Sequence, residues 1–248
     1  MTDTPPLLTV AGVTKVFGAL HALGGIDVTV RAGTFHGLIG PNGSGKSTLL
    51  KVIAGAHFPT AGTIQFGTHD ITDWVPYRRA RAGLSLKFQI TAVMRELSVY
   101  DNVLLALQSA ESAWSLVLSR SRLRLHTRVM QALERFRLVD RADDLAGALS
   151  HGEQQWLEIA IAIAQRPKLL LLDEPTGGMS PEERRVTGEL LVPLKSEFAL
   201  LIVEHDLDFI KNICDHLTVL DQGRVLCDGT VREIEDSPEI QKVYTTRV

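Results

Sequence analysis

Apolar residues alternate with polar ones in short runs at the start of the chain: Leu8 to Val10, Ile26-Asp27-Val28-Thr29-Val30, and Thr34 to Ile39. A period of two puts every second side chain on one face, so these runs predict strands. From about Glu96 to Gln165 the spacing lengthens to that of helices, with Val99, Val103, Leu104 and Leu107 on one stripe and Val129, Leu133 and Phe136 on another. After Pro167 strand patterns return as Leu169 to Asp173, Ala199 to Val203, Leu217 to Leu220 and Arg224 to Cys227. Helical spacing over Pro181 to Leu194 and Leu207 to Asn212 separates them. Strands alternating with helices predict an α/β fold around a mixed sheet, with a helical insertion and no internal repeat.

The run Gly40-Pro41-Asn42-Gly43-Ser44-Gly45-Lys46-Ser47-Thr48 follows the third strand directly. Behind it Leu49, Leu50, Ile53 and Ala54 have helical spacing, and Gly55 ends the pattern. The glycines open backbone conformations closed to residues with a β-carbon, so successive N–H groups converge on phosphate oxygens. Lys46 supplies a mobile charge for the β and γ phosphates, Ser47 a hydroxyl for Mg²⁺, and the helix start a partial positive charge. Asn42, Gly43, Ser44, Gly45, Lys46, Ser47 and Thr48 are therefore expected to bind a nucleotide.

Lys168-Leu169-Leu170-Leu171-Leu172-Asp173-Glu174-Pro175-Thr176 is the second strong feature. Four leucines fit a strand buried on both faces, and a carboxylate pair at its end stands where parallel sheets place ligands. Asp173 is expected to hold Mg²⁺, and Glu174, pointing elsewhere, to polarise a water toward the γ-phosphate. Between these features, Leu149-Ser150-His151-Gly152-Glu153 opens a helical run through Trp156, Ile159, Ala160 and Ile163. Ser150 is a good N-cap and Gly152 lets an anion approach, although alone this is an ordinary helix beginning.

Bulk properties narrow the function classes. The 248 residues can bury a large core, and 26 basic against 29 acidic residues give no reason to expect nucleic acid as a partner. Cys214 and Cys227 are expected to be reduced, in a cytosolic setting. No run approaches the length of a membrane span, and Met1 to Pro6 suits neither export nor anchoring, so any membrane role is expected to run through a partner.

Taken in order, these motifs make the chain similar over essentially its whole length to the ATP-binding subunits of ABC transporters. Leu149 to Glu153 occupies the place of that family's signature, between the phosphate loop and the acidic strand end. The resemblance implies a single cassette: a nucleotide-binding core over 1–88 and 166–230, a helical subdomain over 89–165 and a tail over 231–248. It implies further roles for residues that in isolation carry little. Phe17 resembles the aromatic that stacks on adenine, Gln89 the glutamine that contacts Mg²⁺ and the attacking water, and His205 the switch histidine at the γ-phosphate. It also implies a divided site, in which two cassettes pack head to tail and Ser150 and Gly152 reach the γ-phosphate held by the other subunit. The implied partners are a second ATP-binding subunit, identical or related, transmembrane permease subunits and, indirectly, an extracytoplasmic solute-binding protein. The implied place is the cytoplasmic face of the inner membrane, with ATP and Mg²⁺ as cofactors.

His151 and Glu153 replace the family's common Gly and Gln, and Gly177-Gly178-Met179-Ser180 replaces Ser-Ala-Leu-Asp. Together with Gln155-Trp156-Leu157-Glu158-Ile159, Val203-Glu204-His205-Asp206 and the tail Pro238 to Tyr244, these resemble the importers of branched-chain amino acids and of urea or short amides. Glu153 is expected to put a carboxylate near the phosphate of the opposite subunit. Trp114 to Leu125, apolar and then basic, reads either as a surface for a membrane partner or headgroups or as the solvated edge of the insertion. Soluble ABC-type ATPases and small phosphate-loop kinases are the competing classes. Translation ATPases usually carry two cassettes, repair ATPases carry long inserted coiled coils, and a kinase has no use for Leu149 to Glu153.

Overall fold

A computed structural model of the chain describes residues 5–87, 93–109 and 121–236. Two compact units emerge: Met1–Leu86 with Lys168–Glu174 and Leu194–Val248, and Lys87–Pro167 with Pro175–Pro193. The resemblance assigns 175–193 to the core, whereas its contacts lie within the helical unit. The reason is a set of side-chain ties described below.

The first unit holds two sheets. β1 (Pro6–Phe17) pairs antiparallel with β2 (Leu20–Arg31) and with β4 (Ala61–Phe66), and β5 (His69–Asp70) completes the order β2-β1-β4-β5. The second sheet runs β10-β9-β3-β8-β7-β6, from β3 (Phe35–Ile39), β6 (Leu84–Lys87), β7 (Leu169–Asp173), β8 (Ala199–Val203), β9 (His216–Asp221) and β10 (Arg224–Thr230). β9, β3, β8 and β7 are parallel, and β10 returns antiparallel along β9. Every residue of β3, β7 and β8 is buried, as the unbroken apolar runs predict for strands covered on both faces.

Register positions the chemistry. Leu38 pairs with Val203, and Val203 pairs with Asp173, so β3, β8 and β7 end level. The phosphate loop, Glu174 and Glu204 thus leave the sheet side by side at its carboxyl edge, the usual place for ligands in a parallel sheet. Beyond the loop, α1 (Lys46–Ile53) buries Leu49, Leu50, Val52 and Ile53 in a core shared with Leu38, Leu169, Leu171, Leu201 and Val203.

The last turn of α1 leaves carbonyls without helical partners. Arg79, in α2 (Pro76–Ala82), supplies them: its buried guanidinium donates to Val52 O at 2.9 Å, Ile53 O at 2.7 Å, Trp74 O at 2.8 Å and Thr72 O at 2.9 Å. Burial lowers its pKa to about 10, and the Asp73 charge opposes the shift.

In the helical unit, α3 (Val99–Ser109), α4 (Ser121–Arg135) and α5 (His151–Ala164) pack through Val99, Val103, Leu107, Val129, Leu133, Ile159 and Ile163. α6 (Pro181–Leu191) is tied to α5, with Trp156 Nε1 donating to Thr187 Oγ1 at 2.8 Å. α7 (Leu207–Ile213) and α8 (Val231–Glu235) belong to the first unit, where α8 packs on β9 and β10. The strands β4 to β6 and helix α2 follow Gly and Pro punctuation that the periodicity reading did not use.

Candidate functional site

Backbone geometry builds the phosphate loop. Gly40, Gly43 and Gly45 have φ of 145°, 79° and 104°. A β-carbon on Gly40 would stand 2.1 Å from Leu220 O, and one on Gly45 would stand 2.9 Å from Ala22 O. The loop is held down from the hairpin between β9 and β10, where Gly223 N donates to Ser44 O at 2.9 Å. Inside it, Lys46 Nζ donates to Gly40 O at 2.8 Å and Pro41 O at 2.9 Å. Ser44 Oγ is buried without a hydrogen-bond partner, an unusual state for a hydroxyl and one that an anion in the loop would relieve.

The loop opens on a cleft of ≈ 610 Å³. Asn42, Gly43, Gly45, Lys46, Ser47, Thr48 and Glu174 line it, as the motifs predict, together with Leu20, His21, Ala22, Gln222 and Gly223. These last five were missed. The signal for two of them was the hairpin turn, where Gln222 and Gly223 both take positive φ, 47° and 75°.

Across the cleft floor, Ser47 Oγ donates to Asp173 Oδ1 at 3.2 Å. Burial raises the Asp173 pKa above the usual carboxylate range; the Ser47 hydrogen bond and the Lys51 and Lys46 charges oppose that shift, and Glu174 adds to it. Burial lowers the Lys46 pKa, against the pull of Glu174 and Asp173. Glu174 takes a left-handed conformation, φ 47°, while its N–H donates to Val203 O at 2.9 Å. A non-glycine residue held there before a proline carries backbone strain, and Glu174 is among the residues lining the cleft.

His205 lies two residues beyond Val203, the partner of Asp173, and is exposed; its Nδ1 is 3.8 Å from the carboxylate of the fully buried Glu204. Phe17 is half-exposed at the end of β1, edge-on to His57 at 5.3 Å and with Lys15 Nζ 4.9 Å from its centroid. Neither lines the cleft; Leu20 and His21, just past the Phe17 turn, do. Gln89, most of Trp114 to Leu125 and the tail Pro238 to Tyr244 lie outside the described residues.

In the helical unit Ser150 caps α5 through a reciprocal pair: Glu153 N donates to its Oγ at 3.2 Å, and its own N–H donates to Glu153 Oε2 at 2.8 Å. The other Glu153 oxygen is 3.4 Å from Arg141 Nη1, so this carboxylate is engaged within its own helical unit. His151 Nε2 bonds Gly177 O at 2.9 Å, and a β-carbon on Gly152 would stand 2.4 Å from Glu183 Oε1. The Ser150 helix start is thereby fastened to the segment after Thr176.

A comparison with known families matches residues 23–177 to the ABC transporter model. The chain belongs to the ABC transporter family. This cassette is 34% identical to the high-affinity branched-chain amino acid transport ATP-binding protein BraF of Pseudomonas aeruginosa, over 96% of this chain and 97% of that one. It is 32% identical to LivG of Escherichia coli over the same shares. Among solved structures it resembles the ADP conformation of MJ1267, an ATP-binding cassette of an ABC transporter, at 30% identity and a TM-score of 0.87 over 98% of this chain and 99% of that one. It also resembles the dimeric post-hydrolysis MJ0796 cassette bound to ADP and Pi, at 25% identity and a TM-score of 0.79 over 91% and 99%. The fold expected from the motifs, a phosphate-loop ATPase with mixed sheets, an antiparallel N-terminal part and a helical unit, is the fold found. The cassette is a nucleotide-binding ATPase of a transport family, and no helix among its described residues is long and apolar enough to cross a membrane.

Proposed function

We propose that this cassette is the motor of an importer for branched-chain amino acids, or for urea and short amides, seated on the cytoplasmic face of the membrane by permease subunits. The observation that supports the ATPase half of the reading is the level ending of β3, β8 and β7, with Lys46, Ser47 and Glu174 lining one cleft and Asp173 hydrogen-bonded to Ser47. The importer half is supported by full-length likeness to proteins named for branched-chain amino acid transport.

The donors fit ATP with Mg²⁺. The orphaned Ser44 hydroxyl and the glycine backbone suit phosphate oxygens, and the Ser47 hydroxyl beside the Asp173 carboxylate is a hard-oxygen pair suited to Mg²⁺. Ser47, Asp173 and Gln89 would hold the ion, which when bound neutralises charge on the β and γ phosphates. Lys46 leaves its carbonyl partners for the phosphates, Glu174 accepts a proton from the attacking water, and His205 senses the γ-phosphate from the end of β8. Phe17 receives the adenine. Ser150 and Gly152 complete the site of a second cassette, identical or related, so that ATP binds the pair together and its hydrolysis releases them. A solute-binding protein delivers cargo to the permease. A soluble ATPase without a permease is the alternative.

Co-expression with the neighbouring permease and solute-binding proteins tests the reading. Reconstituted vesicles should take up leucine or urea only with ATP and this cassette. A cassette that purifies with no membrane partner, in a system whose transport is indifferent to it, would overturn the importer assignment while leaving the ATPase intact.

A further inference from the structure

A second cluster of chemically capable side chains lies at the other end of β3 from the phosphate loop. His36 pairs in register with His216 of β9, and Asp228 of β10 pairs with Thr218. Residues paired in register, or two apart on one strand, share a face, so four side chains from three adjacent strands converge. His36 is fully buried, His216 half-buried and Asp228 exposed at the rim. The imidazole rings stand 4.9 Å apart. His216 Nε2 is 2.9 Å from Asp228 Oδ2, Thr218 Oγ1 donates to Asp228 Oδ1 at 2.5 Å, and His36 Nε2 is 2.7 Å from that same hydroxyl oxygen.

Thr218 has a single hydroxyl proton, spent on Asp228, so its oxygen can only accept at His36 Nε2 and that contact needs a proton on the ring nitrogen.

We propose that His36, His216 and Asp228 form a binding site for a divalent transition cation, zinc by its ligand preferences. Their donor atoms all lie within 4.8 Å of one another. Tetrahedral zinc, with bonds of about 2.0 to 2.2 Å, sets its ligands about 3.4 Å apart, so the ion would displace the proton and the Thr218 hydroxyl from His36 Nε2 while rotamer adjustment of the two rim residues brings the set into range. Two imidazoles and one carboxylate suit zinc over magnesium or calcium, which favour all-oxygen shells. Thr218 then orients Asp228 from behind, as outer partners do in such sites. The bound ion would pin β3, β9 and β10 together, upstream of the loop that β3 carries.

The test uses the full chain, stripped with EDTA and free of nucleotide, titrated with Zn²⁺ alone and separately with Co²⁺. Uptake of one zinc per chain with a raised Tm, and the visible absorption of four-coordinate Co²⁺, are expected. His216→Ala and Asp228→Ala should each weaken zinc binding by at least about tenfold and abolish the cobalt band, with the far-ultraviolet circular dichroism unchanged. Both are rim residues, so neither depends on refilling the buried His36 position. Absence of stoichiometric uptake, or uptake indifferent to both substitutions, overturns the site.

Discussion

The hydroxyl of Ser47 donates to the carboxylate of Asp173 at 3.2 Å, joining two residues 126 positions apart across the cleft floor. Neither residue tolerates replacement if the pair holds a divalent ion. Asp173→Asn should lower kcat by on the order of a hundredfold or more, while ATP affinity loses its dependence on added magnesium. Steady-state phosphate release and nucleotide titration with and without Mg²⁺ check both halves.

Glu174 sits one residue further on, at positive φ and among the residues lining the cleft. Glu174→Gln keeps the shape and removes the proposed base, so ATP should still bind while turnover drops by about 10² to 10⁴. The lifetime of an ATP-held pair should lengthen, readable by size-exclusion chromatography in ATP. Phosphate release at the wild-type rate would remove the water-activating role.

How much of this was legible beforehand depended on whether the physics was local. The phosphate loop, the Leu169 to Asp173 strand and the helix from Ser150 are written in spacing, capping and apolar runs within a dozen residues. Their juxtaposition at level strand ends is set by register between β3, β8 and β7, which no local pattern carries. Gln222 and Gly223 reach the cleft through a hairpin whose Gly223 lies 179 positions from Ser44 of the loop it supports, and Arg79 reaches α1 across 26 and 27. The engagement of Glu153 is non-local in the same way. Its carboxylate bonds the Ser150 backbone three residues away and Arg141 twelve residues away, contacts the motif alone does not carry.

Arg79 bears on stability rather than chemistry. Arg79→Met would leave the carbonyls of Ile53, Thr72 and Trp74 without this donor, Val52 O keeping the Gly55 N–H, so unfolding free energy should fall by about 2 to 4 kcal/mol, with Arg79→Lys recovering only part. Urea denaturation of the purified chain measures this directly.

Glu183 makes the segment after Thr176 sensitive to acid. The Ser180 N–H and hydroxyl hold its carboxyl below the ordinary 4.5, with help from His151. A depressed folded value means that the stability it contributes is present above about pH 4.5 and lost as the pH falls through the folded pKa. Glu183→Ala should therefore destabilise the fold more at pH 7 than at pH 4 and below, the difference kept small by solvent screening of this exposed carboxylate. Denaturation curves at the two pH values separate this from a loss independent of protonation.

The central claim is that the glycine cradle and Lys46 hold a nucleotide's phosphates. Its most direct measurement is an equilibrium titration of the purified chain with a fluorescent ATP analogue and Mg²⁺, beside Lys46→Ala. Saturable binding that weakens by roughly ten- to a hundredfold in the variant is predicted, since a charged donor to phosphate is lost. Equal affinity in the two proteins, or no binding to either, would contradict the account.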